Sequence, residues 1–281
     1  MKYKIGVIGI GMVGDQIRRW FADQGFEVAA YDKFKGIGKL DDLNKSDLIF
    51  LCLPSAYDTR QKMGVDLSAF KLVVKYFKDP KMFVVKSTVP PGTTMSLQKI
   101  FPGHKFFHSP EFLTEVTAWN DFSSPHLQLL GYADAKNQKL AEEIIKILPA
   151  GKHAKVLPSV ATEIFKYTRN AFFAAKVTFA NQIYDLCRAY GVEYNDIKDL
   201  LYTDPWVGGH HLEVVHKDYR GFGGKCLPKD LKTLILAFKN KKVNPEFFEA
   251  VDKYNSKLLH RQKLTKTLKK YWLQNSNPRN K

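Results

Sequence analysis

The sequence predicts an α/β protein in which a doubly wound parallel sheet is followed by a mainly helical part. Short apolar runs rich in β-branched residues recur from the N-terminus to residue 130, helical patterns separate several of them, and one long helical pattern follows Pro158. Strands that alternate with helices are typical of a parallel sheet with helices on both faces. At 281 residues the chain is long enough for two domains. We predict a first domain over residues 1–157, a helical domain over 158–255 and a basic helical tail over 256–281.

The elements follow from the spacing of apolar residues. An apolar run at residues 3–8 predicts a strand, helical spacing over 13–22 predicts a helix, and residues 27–31 are again extended. Further strands are predicted from apolar runs at 48–53, 82–85, 105–108 and 127–130. In the second part Ser159 is the predicted cap of a long helix that ends near Ala189. Later helices are predicted at 194–202, 230–240 and 245–270, and residues 205–224 are expected to be rich in loops.

Composition favours a globular protein from a reducing compartment. Hydrophobic residues make up 44 % of the chain, and no apolar run approaches the roughly 20 residues that a membrane-spanning helix needs. The three cysteines show no pattern of disulfide or metal-ligand spacing. We expect a cytoplasmic protein without a membrane span or a metal site.

The positive charge is concentrated near the end of the chain. The net charge is +16, and no acidic residue follows Asp252, whereas nine lysines and arginines do. Apolar residues recur among them at helical spacing, so the pattern predicts an amphipathic basic helix. A solvated face, an anionic partner and a second subunit all remain open for this helix, and nucleic acid is the weaker hypothesis.

A glycine-rich turn lies directly after the first predicted strand. Gly9, Gly11 and Gly14 have the spacing that permits a tight turn, close approach of a pyrophosphate and close packing of the helix on the sheet. Asp32 ends the second predicted strand, where a carboxylate accepts hydrogen bonds from ribose hydroxyls. The context predicts a Rossmann domain that binds NAD, because Asp32 would repel the 2′-phosphate of NADP.

Cys226 lies in a second glycine-rich stretch, with sequence GFGGKCLPKD at residues 221–230. The reactive form of cysteine is the thiolate, which nearby cations and accessible backbone amides favour. Lys225 and Lys229 flank Cys226 and Asp230 follows it, so we interpret this cysteine as a nucleophile. Cys52 and Cys187 are interpreted as buried structural residues.

Five blocks in this order resemble the UDP-glucose/GDP-mannose dehydrogenase family. They are the glycine turn, KSTVPPGT at 86–93, SPEFLTE at 109–115, EIFKYTRNAFFA at 163–174 and GFGGKCLPKD at 221–230. The resemblance covers residues 1 to about 260. It implies oxidation of a nucleotide sugar at C6 in two steps, with UDP-glucose converted to UDP-glucuronate, a polysaccharide precursor, and two NAD reduced.

The resemblance also implies roles for particular residues. Cys226 would hold the aldehyde as a thiohemiacetal and then as a thioester. Lys166 and Asn170, four positions apart on the long helix, would stabilise the oxyanion. Asp230 and Glu111 would act on water or on the substrate hydroxyl, and Thr88 would bind water near the nicotinamide.

Binding residues follow from the same blocks. The expected cofactor contacts are Gly9, Gly11, Met12, Val13, Gly14, Asp32, Lys33, Pro54, Thr88, Glu115 and Lys229. The expected substrate contacts are Glu111, Phe112, Leu113, Lys166, Asn170, Phe222, Gly223 and Cys226. The resemblance further implies a homodimer formed through the long helix.

The chain departs from the family pattern in two places. Members normally continue into a third domain that carries much of the nucleotide site, and this sequence contains no second glycine fingerprint. Trp206 also stands where the family usually has an arginine that reaches the sugar, and His210 and His211 are possible substitutes as donors. Two other functions therefore stay open: a 3-hydroxyacid-type dehydrogenase, which transfers one hydride, and an NAD-binding protein without activity.

Overall fold

The computed structural model describes residues 3–216 and 218–264, which form two compact units. The sheet unit comprises residues up to 61 and 65–166, and the helical unit comprises residues 62–64 and those from 167 onwards. The strands of the sheet unit are β1 (Ile5–Ile8), β2 (Val28–Tyr31), β3 (Leu48–Leu51), β4 (Met82–Val85), β5 (Lys105–His108), β6 (Leu127–Tyr132) and β7 (His153–Pro158). Its helices are α1 (Met12–Asp23), α2 (Ser68–Tyr76), α3 (Thr93–Ile100), α4 (Ala118–Ser123) and α5 (Gln138–Ile144).

The seven strands form one sheet in the order β2-β1-β3-β4-β5-β6-β7. Strands β1 to β5 are parallel, as predicted. Strand β6 is antiparallel to β5, and β7 is parallel to β6, so the sheet is mixed rather than wholly parallel. The segment after β5 turns back at the same end of the sheet, and an antiparallel neighbour needs no crossover.

Both faces of the sheet are covered, which confirms the doubly wound arrangement. Ile17 and Phe21 of α1 pack with Val7 and Phe50 on one face. On the other face, Phe70 of α2 and Leu97 of α3 belong to the cluster around Ile49 and Phe83. The central strands are buried on both faces, so they appear in the sequence as continuous apolar runs rather than alternating ones.

The long helix is the clearest agreement between sequence and structure. Helix α6 (Ser159–Tyr190) begins at the predicted residue and ends one residue beyond the predicted end. It belongs to the sheet unit up to Lys166 and to the helical unit from Tyr167. The remaining elements of the helical unit are α7 (Tyr194–Thr203), the hairpin β8 (Val215–His216) and β9 (Tyr219–Arg220), α8 (Leu227–Asn240) and α9 (Glu246–Arg261).

Two apolar clusters hold the helical unit together. Tyr167 and Ala171 of α6 pack with Phe222 and with Leu231 of α8. A second cluster joins α6 and α7 to Leu212 and Val214 in the loop before the hairpin. Within the described residues no helix combines the length and apolarity needed to cross a membrane. The predicted basic tail lies outside the described residues from position 265 onwards.

Candidate active site

The glycine-rich turn joins β1 to α1. A side chain would clash at two of its three glycines and would have room at the third. Gly9 has φ of +90°, and a Cβ there would lie 2.5 Å from the Cys52 carbonyl oxygen. A Cβ at Gly14 would lie 1.9 Å from the Gly9 carbonyl oxygen, so the turn packs directly on the helix. At Gly11 a Cβ would have no atom within 4 Å. The N-terminus of α1 is therefore accessible, as binding of a pyrophosphate requires.

Asp32 connects the end of β2 to this turn. Its Oδ2 accepts a hydrogen bond from the Ile10 amide at 2.8 Å, and its Oδ1 accepts from the amides of Phe34 and Lys35 at 2.9 and 3.0 Å. The Lys35 ammonium in turn donates to the Ile10 carbonyl at 2.7 Å. The carboxylate is thus fixed beside the glycine turn, where the sequence predicted a ribose acceptor. This cradle fits the adenosine half of NAD.

Several predicted site residues follow successive parallel strands at one edge of the sheet. Gly9, Asp32, Pro54, Thr88 and Glu111 come after β1, β2, β3, β4 and β5, respectively. Because carboxyl ends of parallel strands share an edge, the structure brings these residues to the same end of the sheet. Met12 and Val13 lie in the first turn of α1, Lys33 follows Asp32, and Glu115 is exposed in the loop after β5. Lys229 belongs to the helical unit.

Glu111 and Lys166 are in direct contact. The Lys166 ammonium donates to the Glu111 carbonyl at 2.7 Å and lies 3.5 Å from its carboxylate. The same carboxylate accepts from the Leu113 amide at 2.7 Å, and the ammonium lies 5.4 Å from the centre of the Phe112 ring. The two charged side chains are 16 % and 7 % exposed, so solvent screens their interaction weakly. Lys166 therefore holds the backbone and the carboxylate of the loop after β5.

A buried polar network behind this contact was not predicted. The Lys86 ammonium donates to the Ser109 hydroxyl at 3.0 Å, and Gln128 donates to the same hydroxyl at 3.4 Å. Burial lowers the pKa of the Lys86 amine to about 8, an effect that Cys52 and Glu111 oppose. Burial also raises the pKa of the Cys52 thiol to about 12, which agrees with its interpretation as a structural residue. A lysine directly after an apolar strand was the available signal for this network.

His108 belongs to the same buried region. Its Nδ1 lies 2.8 Å from the Thr162 hydroxyl, which also donates to the Ser159 carbonyl at 2.8 Å. Burial lowers the pKa of His108 to about 3, so the ring is neutral near pH 7. This hydrogen bond joins the end of β5 to the first turn of α6.

Glu163 is a second residue that the sequence did not single out. Its carboxylate is fully buried and accepts from the Gly92 amide at 2.5 Å, the Thr94 amide at 2.9 Å and the Thr94 hydroxyl at 2.6 Å. Burial raises its pKa to about 7, and the hydrogen bonds from Thr94 and Gly92 partly oppose that shift. Glu163 thereby joins α6 to the loop that carries Thr88.

The helical unit contains the remaining predicted catalytic residues. The Asn170 amide donates to Asp230 Oδ2 at 2.5 Å, and the Lys229 ammonium lies 2.6 Å from Asp230 Oδ1. Asp230 is 1 % exposed and Asn170 is 5 % exposed. Because a buried polar group is costly without partners, the Asn170 amide and the Lys229 ammonium support Asp230 in its buried position.

Cys226 precedes the first residue of α8 and is exposed, whereas Cys187 is buried. Asp230 lies one turn later in α8, and its amide donates to the Cys226 carbonyl at 2.9 Å. Gly221 and Gly224 have φ of +95° and +75°, which side-chain-bearing residues rarely adopt. The predicted glycine-rich turn thus places the thiol at a helix N-terminus, where a thiolate is favoured.

The loop that carries Trp206 is hydrogen-bonded to α6. Lys176 donates to the carbonyls of Val207 and Gly208, and Trp206 is 94 % exposed. The His211 ring stacks on Phe173 with centroids 4.0 Å apart. Burial lowers the pKa of His211 to about 4, so this candidate donor is neutral near pH 7. Within the part of the chain that the structure describes, no cluster of His, Cys, Asp or Glu could hold a metal ion.

Two family models match the chain over most of its length. The NAD binding domain of the UDP-glucose/GDP-mannose dehydrogenase family matches residues 38–148. The central domain of the same family matches residues 160–257. The two matches follow each other in the order in which the sheet unit and the helical unit occur.

Individual relatives agree with the family models. The UDP-glucose 6-dehydrogenase AglM of Haloferax volcanii is 26 % identical over 88 % of this chain and 68 % of its own length. The UDP-glucose 6-dehydrogenase of Rickettsia prowazekii is 30 % identical over 76 % of this chain and 50 % of its own length. The chain therefore spans between half and about two thirds of the length of these relatives.

A solved structure supports the fold. The UDP-glucose dehydrogenase of Pyrobaculum islandicum superposes with a TM-score of 0.78 at 23 % identity, over 91 % of this chain and 68 % of that one. At this identity the likeness concerns the fold alone. It extends across both the sheet unit and the helical unit.

Proposed function

Because the chain belongs to the UDP-glucose/GDP-mannose dehydrogenase family, we propose that it oxidises the C6 alcohol of a nucleotide sugar to a carboxylate, with UDP-glucose as substrate. The family models and the NAD-binding cradle support a nucleotide-sugar dehydrogenase that uses NAD. The observation that carries the covalent mechanism is the exposed Cys226 thiol at the N-terminus of α8, with buried Asp230 one turn later.

The proposed chemistry uses Cys226 to hold the aldehyde between two oxidations. NAD, when bound, would accept one hydride in each oxidation, so two NAD molecules bound in succession are used per substrate. The Cys226 thiolate adds to the aldehyde carbon, which forms a C–S bond and converts the carbonyl oxygen to an alkoxide. Loss of hydride from this adduct leaves a thioester. Water then cleaves the C–S bond, so the sulfur leaves as a thiolate and the product leaves as a carboxylate.

Lys166 and Asn170 are proposed to stabilise the negative oxygen. An ammonium and an amide donor, both shielded from water, favour an alkoxide more strongly than bulk solvent does. Lys166 is 6 % exposed and Asn170 is 5 % exposed, which supports this role. Each residue has a carboxylate neighbour, Glu111 for Lys166 and Asp230 for Asn170, which sets the orientation of the donor.

The remaining polar residues are assigned to water and proton movement. We propose that Glu111 receives a proton from the water that cleaves the thioester and that Thr88 hydrogen-bonds water near the cofactor. Asp230 is proposed to orient Asn170 and to act on the substrate hydroxyl. Met12, Val13, Lys33, Pro54, Glu115 and Lys229 stay predictions as cofactor contacts, and Phe112, Leu113, Phe222 and Gly223 as substrate contacts.

We also propose that the chain forms a homodimer through α6. Within the helical unit, Phe172, Phe179 and Leu186 are spaced by seven residues on this helix and are 58 %, 49 % and 53 % exposed. Large apolar side chains repeated every seven residues form one stripe along a helix, and such a stripe is typical of a helix-to-helix interface.

The yield of NADH per substrate tests the function. Full conversion of limiting UDP-glucose is expected to give two NADH, whereas one NADH would favour a 3-hydroxyacid-type or single-step dehydrogenase. Parallel assays with UDP-N-acetylhexosamines and GDP-mannose identify the sugar. No NADH from any nucleotide sugar would overturn the proposal and favour an NAD-binding protein without activity.

The Cys226→Ser variant tests the covalent step. It is expected to bind NAD as the parent does and to lose formation of the acid by at least about a thousandfold, because serine lacks an ionised nucleophile near pH 7. The matched control is Cys187→Ser, which removes a buried thiol elsewhere in the helical unit. Acid formation at the parent rate by Cys226→Ser would contradict the mechanism.

A further inference from the structure

Two amide side chains bind the backbone of the segment that precedes Cys226. Asn255 lies within α9, and Gln262 directly follows its last residue. Asn255 Oδ1 accepts from the Phe222 amide at 2.8 Å, and Asn255 Nδ2 donates to the Phe222 carbonyl at 2.9 Å. Gln262 repeats the arrangement with Arg220, accepting from its amide at 2.9 Å and donating to its carbonyl at 3.0 Å. A primary amide has one acceptor and one donor group side by side, so it reproduces the pairing that a neighbouring β-strand would offer.

The two bound residues, Arg220 and Phe222, lie on either side of Gly221, whose φ of +95° ends the extended backbone of β9. Arg220 belongs to β9, which pairs with β8 in a hairpin. Asn255 and Gln262 are seven positions apart, which is about two helical turns, so both amides lie on one face of the helix. Two amides on one helix face thus bind the backbone on both sides of this glycine bend.

Burial makes the Asn255 contact sensitive to substitution. Asn255 is 4 % exposed and Phe222 is 3 % exposed, so neither backbone group of Phe222 has water as an alternative partner. Gly221 has φ of +95°, and a Cβ there would lie 2.6 Å from Asn255 Oδ1. The amide therefore approaches the backbone at a position where only glycine leaves room.

The side chain of Arg220 fixes the same segment to α6. Its Nε donates to Asn181 Oδ1 at 3.0 Å and its guanidinium lies 2.7 Å from the Asp185 carboxylate. The guanidinium also lies 4.3 Å from the centre of the Tyr184 ring. Arg220 and Phe222 are therefore held on two sides, and only Gly223, Gly224 and Lys225 separate this anchored segment from the thiol.

We propose that Asn255, assisted by Gln262, is a positioning residue that holds the Cys226 thiol at the N-terminus of α8. Two glycines with positive φ give the loop freedom to move, and the amide contacts remove that freedom. A thiol that leaves the helix N-terminus loses the backbone amides that favour its ionised form. The inference rests on the proposed function only in taking Cys226 as the nucleophile.

The test is the rate at which iodoacetamide alkylates Cys226 in the full chain as a function of pH, with Cys226→Ser supplying the background from other thiols. For Asn255→Ala we expect the rate near pH 7 to fall at least about threefold and the pH midpoint of alkylation to rise by about half a unit or more. Gln262→Met should change both values in the same direction by less. In turnover, Asn255→Ala should lower kcat and leave the KM for NAD unchanged.

Two controls separate positioning from loss of stability. Asn240→Ala removes an amide of α8 that bonds Lys62 and Met63, away from the loop. Leu97→Ala weakens a core cluster of the sheet unit that contains no cysteine and none of residues 220–224. Both should alkylate at the parent rate. The proposal is overturned if Asn255→Ala alkylates within about 1.5-fold of the parent with an unchanged midpoint, or if Leu97→Ala changes the rate equally.

The remaining outcomes are also decisive. If Asn255→Ala does not fold, as judged by far-UV circular dichroism, Gln262→Met is measured instead. An alkylation rate at least about 1.5-fold below the parent rate would then support the proposal, and a smaller change would overturn it. Alkylation requires no substrate, so it does not depend on turnover. If Cys226→Ser keeps its activity, Cys226 is not the nucleophile. The measured effect of Asn255 on the alkylation of Cys226 would still stand.

Discussion

At the scale of single residues, the sheet unit buries charged groups where hydrogen bonds rather than solvent support them. Glu163 accepts three hydrogen bonds and is fully buried, and Lys86 lies beside Ser109 in the same unit. A buried charge destabilises a fold unless such partners are present, so both residues have titration behaviour that exposed residues lack.

The buried carboxylate predicts a pH-dependent stability. Burial raises the pKa of Glu163 to about 7 from an ordinary value of 4.5, so between these values the folded chain binds a proton that the unfolded chain releases. Its stabilising contribution is therefore complete below about pH 4.5 and is lost as the pH rises through 7. Relative to Glu163→Gln, the parent should lose about 3 kcal/mol of unfolding free energy across this range.

Denaturant unfolding between about pH 5 and pH 8 measures this difference. Glu142→Gln, which removes an exposed carboxylate from α5, is the matched control and should show no such trend. A constant difference between the parent and Glu163→Gln at every pH would show that Glu163 keeps an ordinary pKa in the fold.

Asp32 carries the second prediction at this scale. Its replacement in Asp32→Asn removes the negative charge beside the glycine turn and one acceptor for the ribose. Hydrogen bonds to charged groups contribute about 1.5–3 kcal/mol, so the Kd for NADH should rise about 10- to 100-fold. The preference against NADPH should weaken in the same variant, because the repulsion of the 2′-phosphate is lost.

Fluorescence titration with NADH and NADPH gives both values. The control is Asp47→Asn, since Asp47 also accepts from a backbone amide, that of Lys4, but lies away from the glycine turn. An unchanged Kd in Asp32→Asn would contradict the assignment of Asp32 to the cofactor.

At the scale of elements, the first two turns of α6 act as a common support for two loops. Glu163 binds the N-terminus of α3, Thr162 contacts His108 at the end of β5, and Lys166 binds Glu111. The helix pattern in the sequence predicted the length of α6. It did not predict these contacts, because they depend on which loops the sheet presents to each turn of the helix.

The apolar stripe on α6 predicts the effect of charge on assembly. The double variant Phe172→Asp with Phe179→Asp should be monomeric under conditions where the parent is a dimer, because burying two carboxylates in an apolar interface costs several kcal/mol. Sedimentation velocity measures the mass. The control is Leu72→Asp on α2, where an exposed leucine of the sheet unit is replaced. An equal dimer fraction in the double variant would contradict the interface.

At the scale of the whole molecule, the positive charge predicts how the chain attracts an anionic substrate. Leu258 and Leu259 are buried in α9, so a truncation that spares this helix begins after residue 264 rather than at residue 256, the predicted start of the tail. The removed segment contains five lysines and arginines. Its loss should raise the KM for the nucleotide sugar several-fold at low ionic strength, and the effect should vanish in about 0.5 M salt.

Steady-state kinetics at two salt concentrations check this prediction. A KM that the truncation leaves unchanged at low salt would show that the tail plays no part in substrate attraction. Salt-sensitive retention of the full chain on DNA, lost in the truncated chain, would instead favour the nucleic-acid hypothesis.

The sequence itself determined three features: the alternation of strands and helices, the glycine turn with Asp32, and the long helix from Ser159. Periodic burial and special backbone angles constrain the residue types at such places. Only the tertiary structure decided the antiparallel direction of β6, the contacts of Glu163 and Lys86, and the hydrogen bonds between Asn255 and Phe222. Each of them pairs residues far apart in the chain, and a polar side chain has no periodicity that reveals its partner. A buried asparagine or glutamate becomes interpretable once the fold shows which backbone groups it satisfies.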